Sequence, residues 1–155
     1  MVLDGGVADI SRSRTITAPP QTIWDVLADF GSLSSWADKV DHSCVLNGGP
    51  DGAELGATRR VQVGRNVLVE RITDFDPLTT LAYDIEGLPT RLRKVANRWT
   101  LRPAGDRTAV TLTSTVQIGT GPPARLAEQL ALRVLAKQSD SLLAGLAHRL
   151  ENTHA

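Results

Sequence analysis

The stretch from Gly121 to Leu150, GPPARLAEQLALRVLAKQSDSLLAGLAHRL, decides how the rest of the chain must be arranged. Pro122-Pro123 punctuates the end of a strand-like segment, and only helix-compatible residues follow from Ala124 to Leu150. No proline interrupts the run and Gly145 is its sole interior glycine, so propensity favours one long helix. At about 100° per residue, Ala131, Val134, Leu135, Leu142, Leu146 and Leu150 fall on one broad face. Arg133, Lys137, Asp140, His148 and Glu151 fall on the opposite one. Two polar residues, Gln138 and Ser139, lie within the apolar face. A helix of this length needs a large apolar surface to lie on.

The upstream sequence reads as a sheet able to supply that surface. Val7 to Thr17 is a short, mostly polar opening strand, stopped by Ala18-Pro19-Pro20. Gln21 to Phe30 follows as a helix with Ile23, Trp24, Val26, Leu27 and Phe30 at helical spacing, and Pro20 sits at the first turn, where proline is tolerated. Leu33 to Ala37 is a second short helical turn carrying Trp36, for which capping a pocket mouth is the less favoured of its readings. From Lys39 the period becomes two. Strands are expected at His42 to Leu46, Gly56 to Val63, Val67 to Phe75, Leu81 to Glu86, Leu92 to Arg102 and Thr108 to Ile118, separated by Gly, Pro, Asn and Asp clusters. Tyr83 and Ile85 share a face, as do Val95, Asn97 and Trp99, and as do Val110, Leu112, Ser114 and Val116. Short connections and alternation indicate an antiparallel meander with one wet face.

The bounds exclude several classes. With 155 residues the chain is long enough for a real core. Its 17 basic and 17 acidic residues cancel, which gives no electrostatic reason to expect nucleic acid or an anionic membrane as partner. The single cysteine, Cys44, excludes an internal disulfide and suits a reducing compartment. Met1 to Asp9 lacks the pattern of a signal peptide, and no run of about 18 apolar residues could span a membrane. A cytoplasmic protein is the expectation. His42 has no second ligand at metal-binding spacing, and no nucleophile elbow, P-loop or dinucleotide fingerprint occurs, so no metal and no cofactor are expected.

The order of strand, two short helices, six strands and long helix, with Ala18-Pro19-Pro20-x-x-Ile23-Trp24 opening the first helix, resembles the START-like, helix-grip superfamily. Its bacterial members are grouped as polyketide cyclase/dehydrase and lipid-transport (SRPBCC) proteins. The resemblance implies an α+β fold over residues 1–155: a curved seven-stranded antiparallel sheet gripping a long C-terminal helix, with two short helices after strand 1. Residues 1–6 and 151–155 are expected to fray. Gly56-Ala57-Thr58-Arg59-Arg60-Val61-Gln62-Val63, then Glu70-Arg71-Ile72, then Thr90-Arg91-Leu92, is similar to the plant abscisic acid receptors of this superfamily. That similarity implies that Arg59 and Glu70 belong to the polar part of a cavity lined by Val61, Val63, Tyr83, Ile85, Val95 and Asn97. The chain departs from those receptors at both mobile loops, reading Gly64-Arg65-Asn66 and Glu86-Gly87-Leu88-Pro89-Thr90, and it has no match to their anchoring lysine. A ligand cavity is implied; a hormone-receptor function is not.

The residues themselves leave alternatives open. In the strand after the hairpin, either Val67, Val69, Arg71 and Thr73 or Leu68, Glu70 and Ile72 face inward. A two-residue turn at Arg65-Asn66 makes Arg59 and Glu70 diagonal neighbours at roughly 7–8 Å, a span long side chains bridge. Their pair is then either a polar anchor at the pocket floor or a structural ion pair, buried or on the solvent face. Gln138, Ser139, Asn97 and Ser114 either hydrogen-bond a ligand or satisfy their neighbours. Val134 and Leu142 complete the candidate lining from the helix. The expected function is binding or transport of a lipid-, polyketide- or isoprenoid-like molecule by burial of apolar surface, at about 25 cal/mol per Å². One alternative is a cyclase, aromatase or dehydratase with Glu70 as base and Arg59 or Tyr83 stabilising an enolate. Another is a non-catalytic homodimeric interaction module with a filled core.

Overall fold

The computed structural model describes residues 7–88, 92–118 and 123–152. Residues 1–6, 89–91, 119–122 and 153–155, on which some of the sequence expectations fall, Gly121, Pro122 and Pro89-Thr90-Arg91 among them, lie outside the described residues. Strand β1 (Val7–Ile16) leads to helix α1 (Pro20–Ala28) and a 3-10 segment at Phe30–Ser35. Six strands follow: β2 (His42–Asn47), β3 (Thr58–Val63), β4 (Asn66–Asp76), β5 (Thr80–Glu86), β6 (Leu92–Ala104) and β7 (Arg107–Ile118). Helix α2 (Pro123–Asn152) closes the fold. The strands form one antiparallel sheet in the order β1-β7-β6-β5-β4-β3-β2. A meander of six strands is thus closed by β1 pairing with β7. The register breaks at Val45/Asn47, Ile72/Asp74 and Leu92/Lys94, and such irregularities bend strands and help a sheet curl.

Three boundaries differ from expectation for physical reasons. The second short helix is a 3-10 segment that starts at Phe30, and Trp36 is its C-cap rather than a member. Helix α2 runs past Leu150 through Glu151 and Asn152, and Glu151 Oε2 accepts a hydrogen bond from the Thr17 backbone at 3.2 Å. The β3–β4 turn is centred on Gly64-Arg65, not Arg65-Asn66. Gly64 has φ +59° and Val63 pairs with Asn66, so the turn moves by one position, the pairing moves by two residues, and Arg59 lies directly opposite Glu70.

One core joins the C-terminal half of α2 to α1 and the inner face of the sheet. Ile23, Trp24 and Leu27 of α1, Leu81, Trp99, Val110 and Leu112 of the sheet, and Leu143, Leu146, Ala147 and Leu150 of α2 are all buried. Trp24 packs edge-on against Phe75 at 5.2 Å, and Trp36 against Trp99 at 6.0 Å. Gly145 makes this closeness possible: a Cβ there would collide with the Trp36 carbonyl oxygen, a backbone atom with little freedom to move. Alanine inside a helix ordinarily stabilises by about 0.5–1 kcal/mol over glycine. Here Gly145→Ala is expected to cost about 1–3 kcal/mol through overpacking. Urea denaturation followed by circular dichroism reads the sign directly.

β1 lies against α2, and the 3-10 segment straps β2 through Ser43 Oγ, which donates to Gly31 O at 2.8 Å and accepts from Ser34 N at 2.9 Å. Among the described residues no helix is long and apolar enough to cross a membrane.

Candidate functional site

Helix α2 lies mainly over β1 and β7, while β3 to β5 curl away beneath its N-terminal half. The two halves of the helix differ accordingly. Leu143, Leu146, Ala147 and Leu150 are sealed in the core, whereas Leu130 and Val134 are 54% and 56% exposed. Between that N-terminal half and the sheet lies a cavity of about 410 Å³, inside the size range of small-molecule sites.

The period-2 alternation places its walls. β3 supplies Val61 and Val63, β4 Leu68 and Glu70, β5 Tyr83 and Ile85, and β6 Val95 and Asn97. Ten of the twelve candidate lining residues border the space, Val134, Gln138 and Leu142 of α2 among them. In β4 the set Leu68, Glu70 and Ile72 faces inward, which settles the ambiguity of that strand. Sequence reasoning missed Leu33, Ala37 and Val40, which close one end from the 3-10 segment and the loop after it. It also missed Leu88 and, on α2, Leu130 and Ala131. Leu130 lies one helical turn before Val134, the signal that could have found it. The exposed lining residues, Lys39, Asn66, Gly87, Leu130, Val134 and Gln138, mark the mouth.

Three expectations are corrected. Arg59 does not border the cavity; it lies behind the wall, 3% exposed, where its cation is fully used. Nε and Nη2 reach Glu70 Oε1 at 2.7 and 2.6 Å, and Nη1 donates to the Phe30 carbonyl at 3.0 Å. The guanidinium stacks on the Phe30 and Tyr83 rings, 3.8 and 4.7 Å from their centroids, a cation–π arrangement that suits a desolvated arginine. Ser114 is likewise behind the wall, 1% exposed, and donates to Asn97 Oδ1 at 2.6 Å. Trp36 does not cap the mouth but is buried on Trp99. Of the two polar residues on the helix, Gln138 is exposed at the mouth, while Ser139 is buried and meets Ser114 Oγ at 3.3 Å.

The polar end of the cavity is therefore Tyr83, Asn97 and Glu70. Tyr83 Oη accepts hydrogen bonds from Trp99 Nε1 at 3.2 Å and Asn97 Nδ2 at 3.4 Å. Burial pushes the phenol above its ordinary value and the Glu70 carboxylate adds to the rise, against opposing contributions from Arg59 and the two hydrogen bonds. Tyr83 is thus a neutral hydroxyl at physiological pH. Glu70 reaches the wall, but its Oε1 is already gripped by the guanidinium. Among the described residues no group of three or more His, Cys, Asp or Glu side chains is placed to hold a metal ion.

A family profile described as polyketide cyclase / dehydrase and lipid transport matches residues 7–151. Solved structures share the architecture. The Zhui aromatase/cyclase from Streptomyces sp. R1128 superposes with TM-score 0.80 at 19% identity, over 96% of each chain. A START superfamily protein from Mycobacterium smegmatis gives 0.73 at 19%, over 94% of this chain and 98% of its own. The di-domain ARO/CYC StfQ of the steffimycin biosynthetic pathway gives 0.78 at 14%, over 96% of this chain and 52% of its own. At these identities the likeness is one of fold. No curated protein matches the sequence.

Proposed function

The chain belongs to the polyketide cyclase / dehydrase and lipid transport family, and we propose that its cavity binds or carries a hydrophobic small molecule, lipid-, polyketide- or isoprenoid-like, in the cytoplasm. The observation that carries this reading is the cavity itself: about 410 Å³ left between sheet and helix, apolar along its length, with Tyr83, Asn97 and Glu70 converging at its inner wall. Apolar walls supply affinity by removing ligand surface from water, and a few polar groups fix orientation. An interaction module with a filled core loses its support, because the core is not filled.

The same wall favours one second reading, a cyclase- or aromatase-type enzyme. A protonated phenol facing an apolar cavity is suited to polarising a ligand carbonyl. Of the Glu70 carboxylate, Oε1 is held by two charge-assisted hydrogen bonds from Arg59, which leaves only Oε2 for such a reaction. Arg59, turned away from the cavity, is not placed to stabilise an enolate. Binding is therefore the reading the geometry favours.

Native mass spectrometry of the protein purified from its own host tests it. A bound small molecule is expected in the wild type. Ala131→Trp, which puts an indole into the space, is expected to lose that mass while melting within a few degrees of wild type. An identical bound mass in the Ala131→Trp protein would remove the cavity from consideration.

A further inference from the structure

We propose that the cavity selects an electrically neutral ligand that turns an oxygen acceptor, a ketone, ester or quinone carbonyl, toward Tyr83, and that a hydrogen-bond chain rooted in α2 enforces this choice. The inference rests on the binding reading above and adds the ligand's polarity. Each link of the chain has one direction. Ser114 Oγ spends its single proton on Asn97 Oδ1, so the contact between the two serines is donated by Ser139. With Oδ1 engaged, the Asn97 amide turns Nδ2 to Tyr83 Oη, and Trp99 Nε1, a donor with no acceptor capacity, adds a second proton from the other side. The phenol oxygen therefore receives twice and has its own proton left to give, and no described residue accepts it. Hydrogen bonds in series polarise one another, which makes Tyr83 a stronger donor than an isolated phenol.

Charge points the same way. Among the described residues lining the cavity, only Glu70 and Lys39 are charged, and Lys39 is exposed at the mouth. Arg59 is behind the wall with its guanidinium committed to Glu70 and Phe30. A carboxylate driven to the inner wall would meet Glu70 and find no cation of its own, an arrangement that burial makes costly. Ser139, Ser114 and Asn97 are positioning residues in this scheme, and Tyr83 is the group that touches the ligand.

Isothermal titration calorimetry with 2-undecanone and with decanoate, at neutral pH, tests the proposal. Wild type is expected to bind the ketone at least tenfold more tightly. Tyr83→Phe is expected to weaken the ketone roughly five- to tenfold, the worth of one hydrogen bond, and to leave decanoate nearly unchanged. Ser114→Ala frees the Asn97 amide to rotate and take the phenol proton on Oδ1, so the ketone preference is expected to fall there too, although Tyr83 is intact. Decanoate binding as tightly as the ketone, or a ketone preference undiminished in Tyr83→Phe, overturns the proposed polarity and leaves the binding reading standing. Absence of ketone binding also overturns it, and the Ala131→Trp comparison then decides whether the binding reading falls with it.

Discussion

Glu70→Ala is expected to lower unfolding free energy by about 3–5 kcal/mol, the cost of stranding one member of a buried ion pair. Domains of this kind are stable by only about 5–15 kcal/mol, so the variant should sit near the edge of folding. The reason lies in what Arg59 would be left with. Its side chain is 4% exposed, wedged against the rings of Phe30 and Tyr83, and Glu70 neutralises two of its three engaged nitrogens. Without the carboxylate, a full positive charge keeps one backbone carbonyl and two ring faces. The informative control removes both charges. Arg59→Met/Glu70→Leu fills similar volume with apolar atoms and is expected to recover most of the loss, since a buried pair exchanged for well-packed apolar groups is often near neutral. Urea titration of the two variants provides the comparison. A Glu70→Ala protein within 1 kcal/mol of wild type would show that water or a shifted Arg59 relieves the charge, and the structural role assigned to the pair would be lost.

The pair also illustrates what pattern can and cannot specify. Alternation in β5, β6 and β7 was legible in full: Tyr83, Val95, Asn97, Trp99, Leu112, Ser114 and Val116 are all buried on the inner face. The partner of Arg59 was legible, but not its geometry. Gly64-Arg65-Asn66 permits two different two-residue turns, which differ by two residues in the pairing of β3 with β4 and so keep the same faces. The choice went to the turn that puts glycine first, with φ +59° at Gly64 and no positive φ at Arg65, as a type II′ connection requires. Trp36 was misplaced because a local reading of its loop does not register Gly145, more than a hundred residues away, whose missing side chain lets the segment press inward. Ser114 was placed on the right face and in the wrong role for a related reason. Alternation says which face a residue takes, not which part of that face α2 covers. β7 lies under the helix and its serine is sealed into a network, whereas β5 and β6 run on past the helix and present Tyr83 and Asn97 to open space. The length of α2 was written in its propensities. The divergence of its N-terminal half from β3 to β5, which creates the cavity, comes from sheet curvature and has no local sequence signature.

Raising the pH should make ionisation of Tyr83 and loss of the fold a single event. Tyr83 is the chain's only tyrosine, so absorbance near 295 nm reports this one phenol with no correction for others. Its folded-state pKa lies above the 10.0 of the unfolded chain, first through burial and then through the neighbouring carboxylate of Glu70. The unfolded state thus gives up its proton first. Below about pH 10 both states hold the proton and the stability is whole. Above that value the unfolded chain binds fewer protons than the folded one, so stability falls with rising pH until the folded-state pKa is passed. A tyrosinate 2% exposed and beside Glu70 has only two hydrogen-bond donors and the already committed Arg59 to offset its charge. The phenolate band is therefore expected to rise together with the loss of near-ultraviolet circular dichroism, at a pH clearly above 10. In Tyr83→Phe the tyrosine-linked part of the alkaline slope should vanish, leaving the lysine and arginine contributions. A phenolate signal that titrates at its ordinary value with the fold intact would mean that the hydroxyl is open to water, and with it would go the dry inner wall on which selective recognition of a carbonyl depends.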